Sequence, residues 1–225
     1  MASMSEPVLK RHRFALSALA LTLIAAGAGR IVEWRTAAAV DARLWFFDVG
    51  KGSAALISDR DGRRLLVDAA PDAGVLEGLA EALPWWDRTI DVLLIARPDA
   101  EQEPVFLGMA RRYRIREIWW TGAAPATEPW RRLVADVEGL GIPRRPVKAG
   151  DSFALSGGND VQILAPSEGS QGRILRPSAA AALGIVGRLD CGSDDLLFGA
   201  ASSLRPDARA GHRYSCAGGK LSLVR

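Results

Sequence analysis

The chain has 225 residues, 48% of them hydrophobic and 24% charged, which sets aside wholesale disorder and fits one domain or one domain with an appendage. Two cysteines, Cys191 and Cys216, are too few for a disulfide-rich scaffold or a four-cysteine zinc module, and two histidines, His12 and His212, exclude a site of three imidazoles. The net charge of +3 resides in residues 1–35, where Lys10, Arg11, Arg13, Arg30 and Arg35 face Glu6 and Glu33; the rest is neutral, so no global electrostatic argument for nucleic acid stands.

Residues 1–35 read as one unit and 36–225 as a second, globular one. Lys10-Arg11-His12-Arg13 is a cationic block, and Phe14 to Gly29 follows without a charge. As a helix this run spans about 24 Å at about 1.5 Å per residue, slightly short of the ~30 Å hydrocarbon core, and Ile31 and Val32 extend it if Arg30 snorkels. The basic flank comes first, which predicts a cytoplasmic N-terminus and an extracytoplasmic body. Ala26-Gly27-Ala28 has the small-x-small form of a cleavage site. An uncleaved signal anchor is the preferred expectation, and secretion follows if the segment is cleaved.

The body alternates strands and helices. Leu44 to Phe47 is a short apolar strand ending in the turn Asp48-Val49-Gly50-Lys51-Gly52. Residues 54–58 and 64–67 flank Asp59-Arg60-Asp61-Gly62, a hairpin signal. Val75, Leu76, Leu79, Ala80 and Leu83 have helical spacing over 72–83, stopped by Pro84. A strand is predicted at 92–96, a helix at 104–113, a strand at 115–121 and a helix at 128–140, which Gly141 and Pro143 end. From Val147 short strands take over, at Phe153, 161–164, 183–189, 196–198 and 221–224. Strands at both ends and βα units between them predict a layered α/β sandwich.

The order of motifs resembles a family. Phe47-Asp48-Val49-Gly50-Lys51-Gly52-Ser53-Ala54, then Leu65-Leu66-Val67-Asp68-Ala69-Ala70-Pro71, is similar to the opening hairpins of the metallo-β-lactamase superfamily, and most similar to the domain of ComEC-type competence proteins, which read "DVGQGDA" and "LLVDAGP" there. Leu83 to Ile95 resembles the strand leading to the family's metal loop, Ile115 to Gly122 the next βα unit, and Gly184 to Ala201 the stretch ending "LLTGD". The resemblance covers residues 43 to about 201. It implies an αββα sandwich, two packed mixed sheets flanked by helices, here truncated at the C-terminus and preceded by the hydrophobic helix.

The departures decide the expected chemistry. The family's metal loop reads H-P-[HD]-A-D-H; this chain reads Arg97-Pro98-Asp99-Ala100-Glu101-Gln102. Arg97 takes the place of the first histidine and Gln102 of the last, and guanidinium offers a metal no lone pair. Ala200 replaces the aspartate of "TGD", Ser53 a usual aspartate in the first glycine turn, and the distal "GHHG" segment is absent. A zinc-hydroxide site needs imidazoles and carboxylates in a fixed cluster, and the body holds one histidine, so zinc is not expected. Asp68, Asp99 and Glu101 form a candidate residual polar site. One reading gives it a weakly held hard cation, another an ion pair of Arg97 with one of the carboxylates, and for Asp68 a third gives a purely structural role on turn amides.

Residues 111–148 carry nine basic and four acidic side chains, with Trp119, Trp120 and Trp130 interleaved. Weak DNA or anionic-ligand contact through stacking is one reading; a solvated arginine face over core tryptophans is the other. Cys191 and Cys216 are a candidate disulfide if the body is exported; the other readings are a buried free thiol at Cys191 with an incidental surface thiol at Cys216, and a metal held by His212 and Cys216 at i, i+4, which lacks enough ligands. Two function classes remain. The first is a membrane-anchored or exported, catalytically inactive domain that binds or scaffolds a protein partner, with DNA uptake as the implied context. The second is a metal-dependent hydrolase, phosphodiesterase- or nuclease-like, with an altered carboxylate site.

Overall fold

The computed structural model describes residues 41–47, 49, 54–68, 74–97, 103–167, 173–176, 183–199, 213–217 and 220–224. The chain divides into two compact units, residues 1–39 and 40–225. The first, with the apolar run 14–29, lies outside the described residues. No helix among the described residues is long and apolar enough to cross a membrane.

Eight strands form the larger sheet of the second unit. In chain order they begin with β1 (Ala42–Phe47), β2 (Ala54–Asp59) and β3 (Arg64–Val67), an antiparallel run. The tight turn after β2 needs a left-handed residue, and Gly62 supplies it at φ 84°. Three parallel connections follow. Helix α1 (Gly74–Ala82) leads to β4 (Thr89–Leu94), and α2 (Glu103–Ala110) leads to β5 (Arg114–Trp120). The short β6 (Ala124–Pro125) and α3 (Glu128–Gly139) lead to β7 (Arg144–Pro146). The chain then builds a second, antiparallel sheet from β8 (Ser152–Ala154), β9 (Asp160–Ala165), β11 (Val186–Cys191) and β12 (Asp194–Gly199). Between β9 and β11, β10 (Ile174–Leu175) pairs in parallel with β6. The hairpin β13 (Arg213–Ala217) and β14 (Lys220–Val224) returns to the first sheet beside β1, giving the order β14-β13-β1-β2-β3-β4-β5-β7.

The two faces of the large sheet serve two cores. Strand side chains alternate between faces, so Leu44, Ile57, Leu65 and Leu94 meet Val161, Ile163, Leu189 and Phe198 of the small sheet. Leu56, Leu66, Ile90 and Leu93 face the helices, packing with Val75 and Leu79 of α1, Phe106 and Met109 of α2, and Trp130, Leu133 and Val137 of α3. Each such fully buried side chain contributes about 1.5–3 kcal/mol relative to an exposed one. Helix α1 approaches closely because Gly78 has no side chain; a β-carbon there would overlap the Phe47 ring.

The expected αββα order is met in three of its four layers among the described residues. The outward positions of the small sheet, Gln162, Leu164, Arg188, Asp195 and Leu197, are partly or fully exposed, and the three helices pack on the other sheet. The polar–apolar alternation of Val186–Cys191 is the mark of a strand with one wet face.

Polar side chains fix the sheet edges. The Arg64 guanidinium is buried and donates to the Thr89 carbonyl (2.9 Å) while pairing with Asp87 (3.0 Å). Asp87 also accepts the Thr89 amide (3.2 Å). Partial desolvation pushes the Asp87 carboxyl upward, but the Thr89 hydrogen bonds and the Arg64 charge outweigh it and hold the pKa below its ordinary 3.8. The folded protein therefore releases this proton more readily than the unfolded chain. The stabilisation is complete above the unfolded value and is lost as pH falls through the lower folded one. Acid titration of the urea midpoint should show wild type losing stability below about pH 4 more steeply than Asp87→Asn; parallel curves would contradict the pairing.

Candidate functional site

The stretch that would lead into a metal loop is the C-terminal end of β4. Its backbone is satisfied from three directions. The Leu94 carbonyl accepts the Asp68 amide (2.8 Å), and the Ile95 amide donates to the Trp119 carbonyl of β5 (2.8 Å). The Ala96 amide donates to Asp68 Oδ1 (2.8 Å), and its carbonyl accepts the Ile185 amide (2.7 Å) from the small sheet. The large sheet and the small one are thus hydrogen-bonded through Ala96. Gly199 lies at the same junction with φ 118°, where a β-carbon would collide with the Ile185 carbonyl oxygen, so only glycine closes the β11–β12 ladder here.

Asp68 is buried at 6% exposure, just past the end of β3, in a left-handed conformation (φ 54°) that aspartate tolerates better than most residues. Its Oδ1 holds the strand end next to Arg97 by accepting the Ala96 amide. Asp68→Ala removes that acceptor and puts alanine in the left-handed region, and should cost about 1–3 kcal/mol in urea unfolding. Asp68→Asn keeps both the acceptor oxygen and the tolerance, and should cost less than half as much. Equal losses would mean that the carboxylate charge, and not the Ala96 bond, is what matters there.

Arg97 follows directly and is exposed. Asp99, Glu101, Gln102 and Ala200 lie outside the described residues, so the polar site of Asp68, Asp99 and Glu101 is placed in one member only. No group of three histidine, cysteine, aspartate or glutamate side chains able to hold a metal occurs among the described residues. Of the described residues, the strand end offers a permanent cation at Arg97 and a carboxylate at Asp68 that accepts the Ala96 amide.

Cys191 and Cys216 are joined by a disulfide with a Cα separation of 5.8 Å, and both are fully buried. Cys191 ends β11 in the small sheet and Cys216 lies in β13 of the large one, so the bond crosses the sandwich core. The alternative of two free thiols is not the state of this structure.

Of the tryptophans in the basic stretch, Trp119 and Trp130 are core residues and Trp120 is half-buried against the helix-side core. Trp119 and Trp130 are each 3% exposed. Trp119 and Trp120 are consecutive in β5 and so face opposite cores; Trp119 packs edge-on against Phe153, and Trp120 stacks on Trp130. Their outer faces are covered by this chain's own arginines, Arg145 over Trp119 (5.1 Å) and Arg144 over Trp120 (5.6 Å). Those arginines are paired in turn, Arg145 with Asp151 and Arg144 with Glu138.

Sequence reasoning missed Asp59. It is buried at the end of β2; Oδ1 accepts the amides of Asp61 (2.9 Å) and Arg63 (2.8 Å), and Oδ2 accepts that of Ser156 (2.8 Å) beside the small sheet. The signal was an aspartate opening an Asp-Gly turn. It also passed over Trp85 and Trp86, read as part of a strand; they sit in a turn before β4 and are strongly exposed.

No protein-family model and no curated protein sequence matches the chain. Solved structures do. The chemotaxis sensor ODP from T. denticola in its apo state is 14% identical at TM-score 0.40, covering 60% of this chain and 48% of its own. CmlA, a diiron β-hydroxylase from Streptomyces venezuelae, is 18% identical at TM-score 0.40, covering 72% and 30%. Zn(2+)-bound PqqB from Methylobacterium extorquens is 17% identical at TM-score 0.36, covering 64% and 47%. This chain thus spans about half the length of the sensor and under a third of the hydroxylase.

Proposed function

We propose that the chain is an exported, membrane-held domain of metallo-β-lactamase-like architecture that binds or scaffolds a partner and does not cleave a substrate. The observation that carries the reading is the fully buried Cys191–Cys216 bridge. Such bonds persist in oxidising compartments, which supports a body outside the cytoplasm with Lys10-Arg11-His12-Arg13 inside and 14–29 as the anchor. Arg97 at the end of β4 supports the non-catalytic half, since a cation there opposes a divalent ion. The ComEC-type resemblance suggests DNA uptake as the context, with a protein partner or a weak anionic contact through Arg111–Lys148.

A C-terminal alkaline phosphatase fusion should be active, and the purified protein should carry substoichiometric metal and hydrolyse a generic phosphodiester no faster than background. An active cytoplasmic reporter in place of the phosphatase would overturn the export. Saturable manganese-dependent hydrolysis, abolished by Asp99→Ala, would instead establish the altered-carboxylate hydrolase.

A further inference from the structure

Trp85 and Trp86 occupy the turn between α1 and β4 and are 78% and 72% exposed. Two adjacent indoles left this wet have no role in either core. The turn is nevertheless well held. Leu83 is buried and its amide bonds back to the Leu79 carbonyl (3.0 Å), and the Asp87 amide donates to the Pro84 carbonyl (3.2 Å). The Asp87 carboxylate locks onto Arg64 and Thr89. The two rings stand edge to face, 5.6 Å apart at 89°.

Around this tip stand exposed arginines. Arg88 follows Asp87 and lies over the Tyr113 ring at 6.0 Å, and its carbonyl accepts the Arg114 amide (2.9 Å). Arg111 and Arg112 form the turn that ends α2, immediately before Tyr113. None of the four has a carboxylate partner among the described residues, whereas Arg64, Arg116, Arg131, Arg144 and Arg145 all do. The acids beside the tip are engaged: Asp87 as above, and Glu81 with Arg213 (3.7 Å). The result is an exposed pair of indoles with four guanidinium groups nearby that no carboxylate among the described residues neutralises.

We propose that this tip is a bilayer-contact site, Trp85 and Trp86 entering the interface while Arg88, Arg111, Arg112 and Arg114 bind anionic lipid headgroups. An indole joins an apolar body to one N–H donor, the combination that settles at headgroup level. Guanidinium matches phosphate oxygens in a bidentate way. A nucleic-acid strand would need platforms that successive bases can stack on along a groove. Two rings set at 89° to each other do not provide one. The inference does not depend on which side of a membrane the body occupies.

The test uses the full chain in phosphatidylcholine vesicles with and without phosphatidylglycerol, carrying brominated acyl chains that quench tryptophan. The difference between wild type and Trp85→Phe/Trp86→Phe isolates the tip, because the apolar run and Trp34 are common to both proteins. Quenching of the pair is expected in anionic vesicles and should fall steeply at high salt. Each arginine removed, in Arg111→Gln and Arg114→Gln, should weaken tip partitioning roughly fivefold. Equal quenching of wild type and double variant in anionic vesicles would overturn the proposal. So would quenching of the pair by a single-stranded oligonucleotide with none by vesicles.

Discussion

Replacing Cys191 and Cys216 together by alanine is expected to lower the unfolding free energy by about 3.5 kcal/mol. That is the chain-entropy value for a closed loop of their separation, 25 residues. The bond ties β11 of the small sheet to β13 of the large one, and β13 is otherwise held by its ladders to β1 and β14. Both sulfurs lie in the inter-sheet core, so alanine leaves small apolar voids and no orphaned polar atom. Urea unfolding should show the wild-type midpoint dropping on addition of dithiothreitol to that of the double variant, which itself should not respond. A wild type indifferent to reductant would show that the bond contributes nothing to the native state.

Asp59→Ala is expected to cost about 3 kcal/mol or more, because three backbone amides lose their acceptor and each orphaned buried donor costs about 1–3 kcal/mol before water relieves part of it. Two of the amides, Asp61 and Arg63, shape the β2–β3 turn; the third, Ser156, belongs to the one-turn helix after β8, so the carboxylate couples hairpin to small sheet. Asp59→Asn separates the two roles. Its oxygen can keep the turn amides, but its NH2 group then faces the Ser156 N–H, a donor against a donor. Native-state hydrogen exchange should therefore show Ser156 deprotected in Asp59→Asn with the turn amides still protected, and all three deprotected in Asp59→Ala. Unchanged protection at Ser156 in both variants would remove the coupling.

The strands and helices were legible where a periodic apolar pattern was long enough to read. The hairpin at Asp59–Gly62, α1 after residue 72 and α3 from Glu128 lie within a few residues of their observed ends. The elements that escaped are short or polar. Strands β6 and β10 have two residues each, and β7 is Arg144-Arg145-Pro146, which reads as a loop by composition. It becomes a strand because the edge of β5 supplies its hydrogen bonds and Trp119 and Trp120 supply a surface for the arginines. At the site, Asp68 and Arg97 were legible as strand ends. The bond from Asp68 to Ala96 spans 28 residues and leaves no local trace.

By itself the sequence determined which side chains share a face, because pleat and helix periods are local properties of the chain. It determined that the strand end carries a permanent cation at Arg97, a matter of side-chain chemistry that no packing can reverse. The tertiary structure alone decided which faces meet. It set Cys191 and Cys216 at 5.8 Å, sent Trp119 and Trp120 into different cores, and left Trp85 and Trp86 in water. Those outcomes depend on contacts between residues far apart in the chain, whose geometry is set by the joint packing of two sheets and three helices and by no segment alone.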